Sequence, residues 1–451
     1  MKIAVVGAGI GGVAAFLALR KHLADASPPV TIVLYESHDS ITSTTSVIGG
    51  GLGLAPNGLR AISRISPDAA VYIEERGFPG EVFTCRNSKG KLLGRFRVGR
   101  KARYGFGELM LPRATVHDAL IQELRPGDVA WGKKVRSVRE NDASVELTLE
   151  DGAVETADLV IGADGVRSIV RESILGQQYT AKYEGLTGVG GFIPIAALSE
   201  SFRASLRDDL VTMTFGSNGF FGYSPCSVDI TDSKNAQAQL MWWSTYETTD
   251  PPPRDTPPTT ILEQLIARHG HWVSPADTPE HPVFREIMAL GCAAGAKVLI
   301  LPGYVTPRLP RWSSLTGAGG GRVLLLGDAA HAMPPHAGQG VACAAEDAVA
   351  IALLLKHYRV SHRFGLEESL RHTAKAYEGV RMKRVGRILD MAKYRGDTKK
   401  TLSWWQEKMR DWAMWVFCKL PESINDGEFG YDVEVDIAKY VAKSGCEVKL
   451  K

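Results

Sequence analysis

The chain has 451 residues, of which 44% are apolar and 23% are charged, and its formal net charge is +3. These values are ordinary for a globular protein of two or three domains, and the nearly balanced charge gives no indication of nucleic-acid binding. The six cysteines form no CxxC pair and no cysteine–histidine cluster, which predicts free thiols and no metal site. Neither a secretory leader nor a run of about 18 apolar residues is found, so we expect a cytoplasmic protein without a membrane span.

The N-terminal 36 residues predict a strand, a glycine turn, a helix and a second strand, at residues 3–6, 7–12, 13–22 and 30–35. The turn reads Gly7-x-Gly9-x-x-Gly12. In this context Gly7 permits a tight turn, Gly9 lets a pyrophosphate approach the backbone, and Gly12 lets the helix pack closely on the strand. Glu36 follows the second strand and is expected to accept hydrogen bonds from a ribose. The pattern indicates a nucleotide site.

The next elements in the chain are less regular. Residues 49–57 are so rich in glycine that we expect a loop there, followed by a helix from about residue 58. A helical pattern starts at Arg113, and alternating apolar residues over 135–149 predict antiparallel strands. Residues 157–163 predict a buried strand that ends at Asp164-Gly165.

The second half of the chain changes in texture. Between about residues 176 and 300, short runs such as 211–215 and 239–244 alternate with turn signals, which predicts a separate sheet domain. The apolar run 323–326 leads into Gly327-Asp328, a loop rich in proline and glycine, and a helix from about residue 346. A carboxylate at a strand end beside the N–H groups of a helix start is typical of a site for a charged, planar cofactor.

Three motifs of the chain resemble those of single-component flavin monooxygenases, the para-hydroxybenzoate and salicylate hydroxylase family. They are Gly7-x-Gly9-x-x-Gly12, Ala163-Asp164-Gly165 within residues 157–171, and Gly327-Asp328-Ala329-Ala330-His331. The resemblance covers roughly residues 1–360 and implies an α/β fold. That fold has a discontinuous, Rossmann-like FAD-binding domain of the glutathione-reductase type, an inserted β-sheet substrate domain and a helical C-terminus.

We place the FAD-binding domain at residues 1–75, 111–178 and 301–360. The β-rich substrate domain takes residues 76–110 and 179–300, and the helical C-terminal region takes residues 361–451.

The resemblance implies a monooxygenase that uses FAD, NAD(P)H and O₂. Through a C4a-hydroperoxyflavin it would hydroxylate or epoxidise an electron-rich aromatic, phenolic or secondary-metabolite substrate. No second GxGxxG–helix unit follows, so NADPH or NADH would bind transiently. Two alternatives stay open: a non-oxygenating FAD oxidase or reductase, and a catalytically silent FAD-binding interaction protein.

The resemblance also implies roles for the cofactor-binding residues. Asp328 would hold the ribityl chain or a pyrophosphate-bound water, Arg113 would contact the phosphates, and Asp164 would serve both FAD and NAD(P)H. The N–H groups of residues 338–342, which lead into the helix that follows Gly327-Asp328, would face the flavin where negative charge develops on reduction. The expected cofactor-binding residues are Gly7, Gly9, Gly12, Glu36, Gly49, Gly50, Arg113, Asp164, Gly165, Asp328, Gly338, Gly340 and Val341.

The substrate side is less determined. Pro334 and Pro335 are expected to shape the wall of the oxygen site, and Tyr223 is a candidate for a hydrogen bond to a phenolic substrate. Aromatic residues at strand positions also commonly belong to the core. Relatives often carry Asn where this chain has Ala342, which removes one side-chain donor expected near the flavin.

The C-terminal region carries an aromatic stripe at helical spacing: Trp404, Trp405, Met409, Trp412 and Trp415. Such a stripe packs on another domain or subunit, or lies on a membrane surface. We favour packing on the FAD-binding domain or on a second subunit. The expected partners are then a small-molecule substrate and O₂, in a monomer or homodimer.

Overall fold

The structure, a computed structural model, describes residues 1–47, 49–227, 238–316, 320–334 and 338–448. Its strands are β1 (Lys2–Val6), β2 (Thr31–Tyr35), β3 (Gly51–Leu54), β4 (Phe78–Pro79), β5 (Val82–Asn87), β6 (Leu92–Arg97), β7 (Leu109–Pro112), β8 (Val129–Ala130), β9 (Val135–Glu140), β10 (Val145–Leu149), β11 (Val154–Ala157), β12 (Leu159–Gly162), β13 (Lys182–Pro194), β14 (Val211–Gly216), β15 (Gly219–Pro225), β16 (Gln239–Glu247), β17 (Leu299–Val305) and β18 (Val323–Leu325).

The α-helices of the described residues are α1 (Ile10–His22), α2 (Ile41–Val47), α3 (Pro56–Ile65), α4 (Pro67–Arg76), α5 (Lys101–Tyr104), α6 (Arg113–Ile121), α7 (Ile169–Leu175), α8 (Glu200–Ser205), α9 (Pro258–His269), α10 (Val283–Gly291), α11 (Asp328–His331), α12 (Gly340–Leu355), α13 (Leu366–Asp397), α14 (Trp404–Phe417), α15 (Asp426–Phe429) and α16 (Val433–Val448). A π-helical segment, Lys356–Ser361, extends α12.

A five-stranded parallel sheet in the order β18-β12-β1-β2-β8 holds the three motifs. Its central strands are buried on both faces, as their continuous Val, Ile and Leu runs require of a parallel sheet. The register pairs Val6 with Gly162, and Gly162 with Leu325. Because the strands are parallel, the segments that follow β1, β12 and β18 emerge side by side at one edge of the sheet. All three motifs therefore meet there, although they are far apart in sequence.

A larger, seven-stranded sheet has the order β17-β13-β16-β15-β14-β5-β6. Leu240 and Trp242 share one face of β16 and pack in the core beneath α9 and α10. Met241 and Trp243 lie on the opposite face, where Met241 approaches Gly51 of β3. Strand β17 crosses the domain boundary expected at residue 300, and the domain limits stay a prediction.

The glycine-rich segment 49–57 is more regular than expected. Residues Gly51–Leu54 form β3, which pairs antiparallel with β7, and α3 already starts at Pro56. The expected loop was wrong because the glycines serve close packing rather than disorder of the backbone. A Cβ on Gly51 would lie 2.3 Å from the Met241 sulfur, and one on Gly53 would lie 2.6 Å from Oε1 of Glu108.

The C-terminal helices cover both parts of the molecule. The 32-residue helix α13 packs along α12, while α14 packs on β6 of the seven-stranded sheet. In the described part of the chain, no helix has the length and apolar character needed to cross a membrane.

Candidate active site

The first glycine motif forms a tight turn with open backbone at its centre. Gly7 adopts φ +100° and its N–H donates to the carbonyl of Tyr35 at 2.8 Å. A Cβ on Gly12 would lie 1.8 Å from the carbonyl oxygen of Gly7, whereas one on Gly9 would meet nothing within 4 Å. Helix α1 also starts without a side-chain cap. The turn thus leaves N–H groups and space for an anionic ligand such as a pyrophosphate.

Glu36 lies beside this turn, buried and ionised. Its Oε2 accepts the Ala8 N–H at 2.6 Å, while its Oε1 accepts from Ser37 and from the backbone and ring of His38. Burial favours the protonated acid, but the hydrogen bonds from His38 and Ala8 outweigh it and hold the pKa of Glu36 below its usual 4.5. Each carboxylate oxygen offers about two lone pairs, so Oε2 retains one for a ribose hydroxyl.

The same turn is also held by His117 of α6, a residue that no sequence pattern indicated. Its Nε2 lies 2.9 Å from the carbonyl oxygen of Ala8. Burial lowers the pKa of His117, so the ring is neutral and its Nε2–H donates to that carbonyl. Ala8 is therefore held through its N–H by Glu36 and through its carbonyl by His117.

The second motif joins the third through a buried arginine. Asp164 caps α7, accepting from Ser168 Oγ at 2.5 Å and from the Val170 N–H at 3.1 Å. Burial raises the pKa of the Asp164 carboxyl above its usual 3.8, although these hydrogen bonds oppose the rise. Arg171, fully buried, donates to the carbonyl of Ala329 at 2.9 Å. The described contacts of Asp164 are structural, and its role toward FAD and NAD(P)H stays a prediction.

The third motif presents a carboxylate and a second open stretch of backbone. Asp328 starts α11, is partly buried, and its carboxylate has no hydrogen-bond partner among the described residues. A Cβ on Gly165, Gly338 or Gly340 would meet nothing within 4 Å. These open positions and the open Gly9 fit FAD, which would lie with its pyrophosphate at α1 and its ring beside the start of α12.

Other expected residues of this loop have different surroundings. Pro334 is buried, and Pro335 lies outside the described residues. Val341 is 9% exposed. Ala342 packs against α3, since a Cβ on Gly58 would lie 2.8 Å from its own Cβ. Ala342 therefore lies at a close contact between α12 and α3.

Gly49, Gly50 and Arg113 lie together where the two large sheets meet. Gly50, at φ +91°, accepts the Arg113 N–H through its carbonyl at 2.9 Å. A Cβ on Gly49 would lie 2.8 Å from Cδ2 of Leu299. The Arg113 side chain is exposed and pairs with no described residue, which leaves it available to a phosphate. Contact of these residues with FAD stays a prediction.

A buried charge network fixes the loop before α12, and sequence reasoning missed it. Gln339 accepts a hydrogen bond from Asn57 at 2.8 Å, and Asn57 also donates to Glu346 at 2.8 Å. Glu346 pairs with Arg381 at 2.7 Å and Arg384 at 2.8 Å. The network therefore connects the loop to α3, α12 and α13.

Asp347 extends the network to the third motif. It accepts from the Gly327 N–H at 3.0 Å and His331 Nε2 at 2.7 Å, and it pairs with Arg381 at 2.8 Å. Burial favours the protonated forms of both acids. The arginines, together with His331 at Asp347, nevertheless hold the pKa of Glu346 and of Asp347 below their usual values.

Glu108, just before β7, is a buried acid of the opposite kind. It is 6% exposed, and its Oε2 has no hydrogen-bond partner among the described residues. Burial, with a contribution from Glu428, raises its pKa to about 8. This folded-state pKa lies above the unfolded value of 4.5, so below pH 4.5 Glu108 is protonated in both states and does not lower the free energy of unfolding. As the pH rises from 4.5 to about 8, the free energy of unfolding decreases, because the unfolded chain ionises Glu108 and the folded protein does not.

We expect Glu108→Gln to remove this loss. The difference in unfolding free energy between the variant and the wild type should grow in favour of the variant as the pH rises from 5 to 8.5. The growth is at most about 5 kcal/mol, at about 1.4 kcal/mol per pKa unit. Urea unfolding at both pH values measures the difference, with Glu150→Gln on the surface as control. An equal gap at both pH values would contradict a neutral Glu108.

Tyr223 does not face the motif-bearing edge. It is 4% exposed and packs in the core between the seven-stranded sheet and its helices, with its ring 5.2 Å from that of Phe202. Burial raises the pKa of its phenol. The expected hydrogen bond to a substrate has no support from this position. Alternation along the strand instead turns Phe220 toward the other face, where its ring centroid lies 6.3 Å from that of Trp243.

The comparison with known proteins agrees with this geometry. The profile of the family described as FAD binding domain matches residues 73–281 and 315–363, more than half of the chain. The chain belongs to this family. Salicylate hydroxylase of Pseudomonas putida is 27% identical over 404 residues, 86% of this chain and 83% of that protein. The 6-hydroxynicotinate 3-monooxygenase of Bordetella bronchiseptica is 28% identical over 406 residues, 86% and 89% of the two chains.

A solved structure shows the same fold. Klebsiella pneumoniae HpxO, in complex with FAD and uric acid, superposes with a TM-score of 0.73 at 20% identity, over 98% of this chain and 97% of that one. The predicted resemblance, α/β fold class and FAD cofactor are thus confirmed. This member of the family is an FAD-dependent monooxygenase, and NAD(P)H is the transient reductant typical of such enzymes.

Proposed function

We propose that this enzyme hydroxylates a small, electron-rich aromatic ring that carries a negative charge. The observation that carries the proposal is an aromatic face with a cation above it. The Lys399 ammonium lies 4.1 Å from the ring centroid of Phe220, on the face of the seven-stranded sheet that also presents Trp243. Two relatives support the choice, since their names give salicylate and 6-hydroxynicotinate as substrates.

The aromatic face is built by glycine. A Cβ on Gly222 would lie 2.5 Å from the indole of Trp243, so the indole lies flat against the strand. Met241, two positions earlier on the same face, approaches Gly51 beside the expected flavin segment. Phe220 and Met241 are themselves buried, at 1% and 2% exposure, so among these side chains the partly exposed Trp243 indole offers a planar ring a stacking surface.

A cavity of about 210 Å³ lies beside Pro334. Its lining includes Leu186, Ala392 and Gly396, together with the charged residues Glu184, Lys393, Asp397 and Lys400. This volume lies below the usual range of ligand pockets and suits a single ring. Bound FAD supplies the electron transfer from NAD(P)H and the activation of O₂. The chain's own residues hold the ring, exclude water and, at the start of α12, stabilise negative charge.

The overall test is a substrate panel with the FAD-loaded enzyme. Hydroxylated aromatic acids, neutral phenols and apolar aromatics are compared for stimulation of NAD(P)H oxidation. The masses of products formed under ¹⁸O₂ are determined by mass spectrometry. We expect one labelled oxygen in products from the anionic class. Stoichiometric H₂O₂ without label in any product would instead indicate an oxidase, and absence of flavin reduction would indicate a silent FAD-binding protein.

The role of Lys399 is tested by Lys399→Met. We expect the KM for anionic substrates to rise by about 10-fold, the usual consequence of losing one charge-assisted contact, with little change for neutral phenols. Lys134→Met is the control, because that lysine pairs with Glu150 at 3.0 Å on the surface and does not line the cavity. Equal effects of the two substitutions would contradict the assignment.

The same role has a pH signature. Burial and the neighbouring Arg395 lower the pKa of Lys399 to about 7, so its charge is present below pH 7 and lost above it. We expect the KM for anionic substrates to rise between pH 7 and pH 8.5 in the wild type. Lys399→Arg should keep its charge and abolish that rise.

A further inference from the structure

Helix α14 carries its large apolar side chains on the outside. Trp404, Trp405, Met409 and Trp412 are 59%, 71%, 68% and 65% exposed, and Trp415 is 48% exposed. We call these five residues the Trp face. The stripe expected to pack on the FAD-binding domain does not pack there, because α14 lies on β6 and turns the stripe to solvent.

The inward side of the same helix is partly apolar and partly polar. Its Phe417 ring lies 5.1 Å from that of Phe96, and Met414 packs against buried residues of the seven-stranded sheet. Arg410, 6% exposed, donates to the carbonyls of Gly216 at 2.6 Å and Phe215 at 3.4 Å, and pairs with Asp411 at 2.9 Å. Asn87 donates to Asp411 at 3.1 Å. The helix is thus held by apolar contacts and hydrogen bonds on its inward side, while its tryptophans face out to solvent. An exposed apolar patch of this kind marks an interaction surface.

A basic cavity adjoins the Trp face at the end of α14. It has a volume of about 440 Å³ and contains four arginines in its lining, namely Arg95, Arg97, Arg100 and Arg103. Its apolar lining includes Leu420 and Ile424, which are 43% and 55% exposed. We call it the arginine pocket.

The arginine pocket retains positive charge despite its ion pairs. Three of the four arginines are paired: Arg95 with Asp209, Arg100 with Glu422, and Arg103 with Asp426. The guanidinium of Arg97 pairs with no residue in the described part of the chain. Lys408 is exposed within the Trp face, and the Lys419 ammonium lies 4.5 Å from the Trp415 ring centroid. Basic groups therefore line both the pocket and the tryptophan surface.

We propose that the Trp face and the arginine pocket together dock this enzyme on a bilayer containing anionic phospholipid. Tryptophan is enriched at the level of the headgroups, and arginine and lysine bind the phosphates there. Leu420 and Ile424 would enter the acyl boundary beside the pocket. A second copy of the chain fits less well, because a two-fold interface would bury the basic groups of both copies in one contact.

The proposal is tested with the FAD-loaded full chain by co-sedimentation with vesicles. Vesicles of phosphatidylcholine alone are compared with vesicles that contain about 30% phosphatidylserine. We expect partition onto the anionic vesicles to be about 10-fold stronger, to weaken at about 0.5 M NaCl, and to shift tryptophan emission to shorter wavelength.

Two variants separate the apolar and basic contributions. The double variant Trp405→Ser/Trp412→Ser should lose at least about 10-fold in partition onto anionic vesicles, whereas Arg97→Gln should reduce the preference for phosphatidylserine. Val154→Ser, at another exposed apolar side chain, is the matched control. FAD content and flavin reduction should be unchanged in every variant, which shows that each folds.

Two results would overturn the proposal. One is failure of the wild type to partition onto anionic vesicles at low salt. The other is a lipid-free dimer in gel filtration that Trp405→Ser/Trp412→Ser converts to a monomer, since the Trp face would then be a subunit interface.

Discussion

Replacing Gly12 by alanine is expected to abolish FAD binding by preventing α1 from packing on β1. The added Cβ would lie 1.8 Å from the carbonyl oxygen of Gly7, a backbone atom in a turn held by Tyr35. An overpacked side chain typically costs about 1–3 kcal/mol, but here no flexible group can move aside. We expect colourless, poorly soluble protein, measured by flavin absorbance and by the yield of folded chain.

Gly9→Ala is the matched control for this expectation. Its Cβ would meet nothing within 4 Å, so the chain should fold with a Tm close to that of the FAD-free wild type. The methyl group would occupy the space into which the pyrophosphate approaches, and FAD affinity should fall by at least about 100-fold. A yellow Gly12→Ala protein with an unchanged Kd for FAD would show that α1 is not packed as described.

Arg381→Met is expected to cost about 3–5 kcal/mol of unfolding free energy, the usual result of removing one partner from a buried ion pair. The substitution leaves Asp347 without its arginine and Glu346 with only Arg384, and all of these groups are buried. Because Glu346 also holds Asn57, which bonds Gln339, the loop before α12 should loosen and FAD should bind more weakly.

Urea unfolding of the FAD-free and FAD-loaded forms measures both effects. Arg308→Met is the control, since Arg308 makes a comparably short bond to Asp390 but on the surface, where both side chains are more than half exposed. Such a pair contributes about 0–1 kcal/mol. Equal losses of unfolding free energy from Arg308→Met and Arg381→Met would mean that the buried ion pairs contribute no more to stability than an exposed one.

Local patterns predicted much of the FAD-binding sheet. The β-branched runs, the glycine turn and the helix after it depend on neighbours in sequence, and β1, α1 and β2 formed within a few residues of the expected limits. The loop expected at 49–57 was wrong because its glycines leave room for Met241 and Glu108, which are distant in sequence. Sequence composition alone cannot distinguish a glycine that allows a turn of the backbone from one that leaves space for a packed side chain.

The site divides in the same way. The motif residues were found because each motif is contiguous, whereas Glu346 and Arg381 were missed because their pairing joins two helices. Alternation along a strand places Leu240 and Met241 on opposite faces, but it does not say which face turns to the FAD-binding sheet. The role expected for Tyr223 depended on that choice, and its position in the core does not support it. The tryptophan spacing indicated a stripe on α14 but not its outward direction.

The charge network also sets an order of assembly during synthesis. Asn57 and Glu346 are 289 positions apart, and the arginines that neutralise Glu346 and Asp347 lie on α13, which is translated after the rest of the network. A nascent chain that ends before Arg381 would bury two acids without their cations, so we expect its FAD-binding sheet to be destabilised. Such shortened chains should be substrates for proteolysis rather than stable flavoproteins.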